Sequence, residues 1–124
     1  MRSVTVMESE FEKRAADSVL RKRRYAIRYP FAVDAEMLDL ESGTRLRGVT
    51  SDLSLGGCFV CTRRPWQIGV RVRLALTRKD QKVEALAVVR VVVPRTGMGL
   101  EFLEVEPTSN KTLWVWIESL RKSQ

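Results

Sequence analysis

The sequence predicts an all-β domain with flanking helices, in which six antiparallel strands make a barrel or a sandwich and a C-terminal helix covers it. Three observations carry that expectation. From Phe31 onward, apolar and polar residues alternate with a period of two in one segment after another. Short Gly-, Pro- and polar-rich stretches separate these segments at hairpin spacing. After Pro107 the apolar period lengthens to that of a helix.

Ahead of the strands, residues 1–20 form an N-terminal extension. Ser9-Glu10-Phe11-Glu12 has the spacing of a capping box, and Phe11, Ala15 and Val19 recur at i, i+4 and i+8, which predicts a short helix. Residues 21–30 are a basic linker, with five cations between Arg21 and Arg28 and a proline at Pro30 that disfavours a continuing helix.

The first strand places Phe31, Val33, Ala35 and Met37 on one face. Glu41-Ser42-Gly43-Thr44 is a turn signal, and the strand from about Arg45 to Leu53 completes a hairpin. Ser54-Leu55-Gly56-Gly57 interrupts the pattern before Cys58 to Thr62 resumes it, and Arg64 to Gly69 is the next loop. Val70, Val72, Leu74 and Leu76 alternate with polar positions, and Arg78 to Gln81 makes a polar turn. The strand from Lys82 to Val93 is apolar on both faces along part of its length, which predicts burial on both sides. Pro94 to Gly97 ends it, and Met98, Leu100 and Phe102 form the sixth alternating segment. In the helix at about 109–121, Thr108 or Ser109 can cap the start, and Leu113, Trp116, Ile117 and Leu120 share a face. Trp114 and Trp116 are expected to pack in the core or lid.

At 124 residues the chain fits one domain, and 44% hydrophobic with 30% charged residues is the balance of a globular protein. No apolar run reaches the ~20 residues of a membrane span, since Arg90 interrupts the longest candidate, and the N-terminus turns acidic before a secretory core can form. Membrane insertion is therefore not expected, and a cytoplasmic location is. The formal charge of +7 favours anionic partners, and residues 1–20, with three basic and four acidic groups, do not contribute to it.

Histidine is absent, which removes the side chain most used for acid–base work near neutral pH. Cys58 and Cys61 form a CxxC, but residues three apart on a strand face opposite ways, and no further cysteine or histidine completes a zinc site. Both are expected to be small buried or half-buried residues, with no metal and no cofactor. Lacking also a phosphate-cradling Gly-rich loop with its lysine and a nucleophile–base set, the chain reads as a binding module with no catalytic residues.

Two short patterns remain, Arg24-x-x-x-Arg28 before the first strand and Asp52-x-Ser54-x-x-Gly57 between the second and third, about 25 residues apart. In these the sequence resembles the PilZ domain family. Arg24 and Arg28 match its RxxxR element, Asp52-Leu53-Ser54-Leu55-Gly56-Gly57 matches its D/NxSxxG element, and Gly97-Met98-Gly99-Leu100-Glu101-Phe102 resembles a recurrent late strand. The resemblance covers about residues 21–121, taking in the basic linker and the C-terminal helix. It implies a six-stranded antiparallel β-barrel that binds the bacterial second messenger cyclic di-GMP and acts as a receptor or adaptor through a conformational change or a protein partner.

The chemistry of these residues suits that ligand. A guanidinium can pair two-pronged with phosphate or with guanine O6 and N7 and can stack on a base, which fits Arg24 and Arg28. Ionised Asp52 only accepts, matching the N1–H and N2–H₂ donors of guanine, and Ser54 can donate or accept at the same base. Gly57 permits close approach of backbone and positive φ, and Gly56 frees the turn further. Taken alone, Asp52-x-Ser54 also fits a turn whose side chains bond local backbone. Arg23, next to the RxxxR element, stands where family members with arginine tend to hold two intercalated ligand molecules, so two cyclic di-GMP molecules per chain are expected. The alternative is a basic nucleic-acid-binding β-barrel module in which Tyr25 and Tyr29 stack bases.

Overall fold

A computed structural model describes residues 27–123. The capping box and the Phe11–Ala15–Val19 stripe, together with Arg23, Arg24 and Tyr25, lie outside them. The elements are β1 (Tyr29–Pro30), β2 (Asp34–Asp39), β3 (Arg45–Leu53), β4 (Gly57–Cys61), β5 (Arg71–Arg78), β6 (Gln81–Val93), β7 (Gly97–Val105) and α1 (Pro107–Lys122).

Pairing is antiparallel throughout, in the order β3-β2-β5-β6-β7-β4, and the additional β3–β4 pairing closes the six into a barrel. Closure selects the barrel over the sandwich and leaves no long open edge. Each expected hairpin turn is present. In the β2–β3 turn Gly43 takes φ 77°, while Asp39 Oδ1 accepts the Glu41 and Ser42 amides at 2.9 and 3.3 Å. The Glu41 amide is the leading reason that the Asp39 carboxyl sits below its usual range.

The expected inward faces form the core. Phe31, Val33, Ala35 and Met37 are buried, as are Val72, Leu74 and Leu76 from β5 and Met98 and Leu100 from β7. α1 lies against β6 and β1 and covers one end with buried Leu113, Trp116 and Ile117, while Leu120 is half-buried. The Trp116 ring tilts 56° to that of Phe31 at 5.5 Å between centroids, and its Nε1 donates to Gln81 Oε1 at 2.8 Å. Its apolar bulk and its one donor are thus both accommodated.

Six local expectations give way. β1 falls in the stretch read as linker; it pairs Tyr29 with Leu53 and Pro30 with Asp52, along the edge of β3 beyond the β2 pairing, which stops at Val49. Proline is tolerated in so short an edge strand because the ladder asks little of its missing N–H. In β6, Val88 and Val89 are both buried, but a register irregularity between Val89 and Val91 turns Val91 and Val93 outward, 47% and 40% exposed. The helix starts two residues earlier than read, with Glu106 at the N-cap and Pro107 at the first position, where a missing N–H costs nothing. Ser109, read as a cap, is buried and accepts the Glu84 amide at 2.9 Å, tying α1 to β6. Trp114 is not core but 43% exposed, and Cys61 is exposed where burial or half-burial was expected.

Candidate functional site

β3 and β4 build the site between them. A register shift between Thr50 and Asp52 interrupts the alternation, so that Thr50 and Leu53, three residues apart, both point inward. Thr50 is a structural anchor, since its hydroxyl donates to Phe31 O at 2.6 Å and accepts the Val33 amide at 2.9 Å. Asp52, past the shift, carries a side chain 26% exposed at the outer surface.

β1 brings the arginine to it. Because Pro30 pairs with Asp52, the residue just before β1 is held over the same strand end, and Arg28 Nη1 lies 3.7 Å from Asp52 Oδ1. That separation allows charge attraction but no hydrogen bond. Among the described residues, Asp52 Oδ1 is the buried side-chain oxygen with no hydrogen-bond partner. The side chain of Arg28 is 56% exposed. A carboxylate acceptor and a cationic fork thus stand side by side with their hydrogen-bonding capacity largely unused.

The Ser54–Gly57 turn is fastened from within. The Ser54 hydroxyl donates to Gly57 O at 3.2 Å and accepts the Gly56 amide at 3.1 Å, and the Ser54 amide donates to Gly57 O at 2.8 Å. Ser54 is 4% exposed, so its hydroxyl holds the loop behind Asp52. Gly56 and Gly57 do not take positive φ; those glycines are Gly43 and Gly69. Gly57 is required by close approach instead, since a β-carbon there would stand 2.1 Å from Leu100 O.

Cys58 crosses from Leu53 inside the barrel and is free. Burial, and next the Asp52 carboxylate, push its thiol up to about 12, while Arg28 pulls the other way. Cys61 is also free, on the opposite face, and no grouping of potential metal ligands occurs among the described residues. Tyr29, considered as a base-stacking residue, is 8% exposed and belongs to the core.

Sequence reasoning missed an aromatic neighbour. Phe59 pairs with Asp52 on one side and Gly99 on the other, and its ring lies over Gly97, where a β-carbon would come within 2.6 Å of it. The Gly-x-Gly of β7 was visible in sequence, but only the register shows that the missing side chains make room for this ring.

The PilZ domain family model matches residues 22–119. The chain belongs to the PilZ domain family. No curated protein sequence matches it. Among solved structures it is similar to the Bacillus subtilis inhibitor of motility (MotI/DgrA), with a TM-score of 0.66 and 20% identity over 79% of this chain and 51% of that one, so it spans about half of that protein. It is also similar to the PilZ domain, with c-di-GMP, of YcgR from Escherichia coli, with a TM-score of 0.64 and 21% identity over 78% of this chain and 90% of that one. The PilZ domain of CeSA from a cellulose-synthesizing bacterium gives a TM-score of 0.61 and 17% identity over 77% and 99% of the two chains. At these identities the likeness is one of fold, that of a six-stranded PilZ barrel with a C-terminal helix. Among the described residues no helix is long and apolar enough to cross a membrane.

Proposed function

We propose that this PilZ domain is a cyclic di-GMP receptor that works without catalysis, in the cytoplasm, by changing conformation or by engaging a protein partner once the ligand is captured. The observation that carries the reading is the enclosed, unbonded Asp52 Oδ1 beside the exposed Arg28 guanidinium. An acceptor held ready for a base edge and a cation held ready for phosphate are what a guanine-bearing diester requires. In this reading Arg24 and Arg28 clamp phosphate and base, Asp52 accepts from the guanine edge, and Ser54 and Gly57 hold the loop and allow the approach. The family membership and the fold shared with a ligand-bearing PilZ domain support it.

A nucleic-acid-binding role is less favoured, because burial of Tyr29 removes one of the two aromatic rings it would use. Calorimetric titration with cyclic di-GMP, against GTP and cyclic AMP, tests the reading. Binding of the dinucleotide alone is expected, with about 10- to 100-fold loss in Arg28→Ala, or roughly 1.5–3 kcal/mol for a charged hydrogen bond. The ligand should be recovered unaltered after long incubation. Unchanged affinity in a folded Arg28→Ala protein, or steeply salt-dependent binding indifferent to ligand identity, would count against it.

Arg23 sets the stoichiometry in this proposal. A further guanidinium can stack on an outer guanine and offset the repulsion of phosphates brought together by a second ligand. Titration far above the dissociation constant is expected to give a ratio near two, and nearer one for Arg23→Leu.

A further inference from the structure

Two grooves meet on the outer side of α1, the larger of them mainly apolar and the second mixed, with Glu104 and Asn110 in its lining. The larger, about 390 Å³, runs between Ile27, Leu55, Trp114 and Ile117, with Glu118 and Arg121 at its rim. A second, about 290 Å³, shares Leu55 and Trp114 and continues to Leu103 on β7. Ile27, Trp114 and Leu103 are 50%, 43% and 44% exposed, so the band is a joined apolar surface rather than scattered single side chains. Trp114 bonds nothing in the barrel, in contrast to Trp116 two residues on.

The chain itself supplies an occupant. Ile27, in the groove wall, is the first described residue, and 26 residues precede it in the sequence. They include Phe11, Ala15 and Val19 at helical spacing behind a capping-box pattern. We propose that residues 9–20 dock this stripe into the groove between Trp114 and Leu55 of the same molecule. Seven residues lie between Val19 and Ile27, and the eight steps of chain reach up to about 26 Å, so the stripe can reach the groove that Ile27 lines. A tether this short also presents the stripe at an effective concentration on the order of millimolar, ahead of a second copy in dilute solution. Docking would hold Arg23 and Arg24 between two fixed points, the stripe and Ile27, but it stands independently of any ligand.

The test uses the full chain without nucleotide, with the photoreactive residue p-benzoylphenylalanine in place of Ala15. Irradiation is expected to give intramolecular adducts on peptides containing Leu55 or Trp114, reduced at least about fivefold by Val19→Asp and by Trp114→Glu. In parallel, Phe11→Asp should move the Trp114 indole N–H resonance and leave that of Trp116, which is bonded to Gln81, in place. Phe11 and Val19 precede every barrel strand in the sequence, so these variants keep the experiment decisive even if Trp114→Glu perturbs α1. Adducts between chains, adducts confined to other surfaces, or an unmoved Trp114 resonance would overturn the proposal.

Discussion

Thr50 and Asp52 stand on either side of the same irregularity in β3, and they differ in what their oxygens do. The Thr50 hydroxyl is buried and fully used, joining Phe31 O and the Val33 amide so that the segment entering β2 is fastened to β3. Asp52 Oδ1 is enclosed yet unbonded, facing a guanidinium at 3.7 Å. A polar group that stabilises the fold has its partners in the fold, whereas one kept short of partners spends stability on something else. In the proposed function the first belongs to the scaffold and the second to the recognition surface, though one residue separates them.

The largest effect that would sharpen this contrast lies in the loop that carries Asp52. Gly57→Ala drives a β-carbon against Leu100 O, and because the obstacle is backbone, β4 and β7 must part. A loss of about 3 kcal/mol or more is expected in chemical denaturation, with ligand binding falling alongside it. A fully stable Gly57→Ala protein would mean that the β4–β7 approach is looser than the register implies.

Thr50→Val and Asp52→Ala test the contrast itself. The valine keeps the shape but strands a buried carbonyl and a buried amide, costing about 1–3 kcal/mol, with cyclic di-GMP affinity unchanged in protein that remains folded. Asp52→Ala removes a half-buried, weakly paired charge and an unsatisfied oxygen, so stability should stay within about 0.5 kcal/mol or rise, while affinity falls. Were Asp52→Ala to destabilise as much as Thr50→Val, the carboxylate would be a structural group and the division would collapse.

Much of this was legible in the chain because barrel strands report themselves through period two. Phe31 to Met37 and Val72 to Leu76 went inward as read, and of the stripe read in α1 Leu113, Trp116 and Ile117 are buried and Leu120 half-buried. What escaped depended on non-local pairing. The two-residue β1 has no period to detect, and the turn of Val91 and Val93 to the surface follows from a register shift that only the β6–β7 partner reveals. Ser109 looks like a cap because serine suits caps, but tertiary structure spends its hydroxyl on Glu84. At the site, residue types indicated that Asp52 and Arg28 would converge. The role of Gly57 as a contact point rather than a positive-φ hinge needed the position of Leu100 O.

The smallest expected effect uses Cys58 as a reporter of the same pair of charges. Its thiol is pushed up to about 12, by burial first and then by Asp52, while Arg28 opposes the rise. A thiol raised above its ordinary value of 9.0 binds its proton more tightly in the folded chain, so the associated stability is fully present below pH 9 and is lost as pH climbs toward 12. In a Cys61→Ser background, which removes the exposed thiol, thiolate absorbance should therefore develop only in that upper range. Asp52→Asn is expected to shift the onset to lower pH and Arg28→Ala to higher pH, each by less than the shift that burial imposes. Opposite signs from two neighbouring substitutions are difficult to obtain from general loosening of the barrel, which would lower the onset in both. A common downward shift would mean that Asp52 and Arg28 act on Cys58 through packing, and that their charges are not aligned on this end of β3 as the 3.7 Å contact indicates.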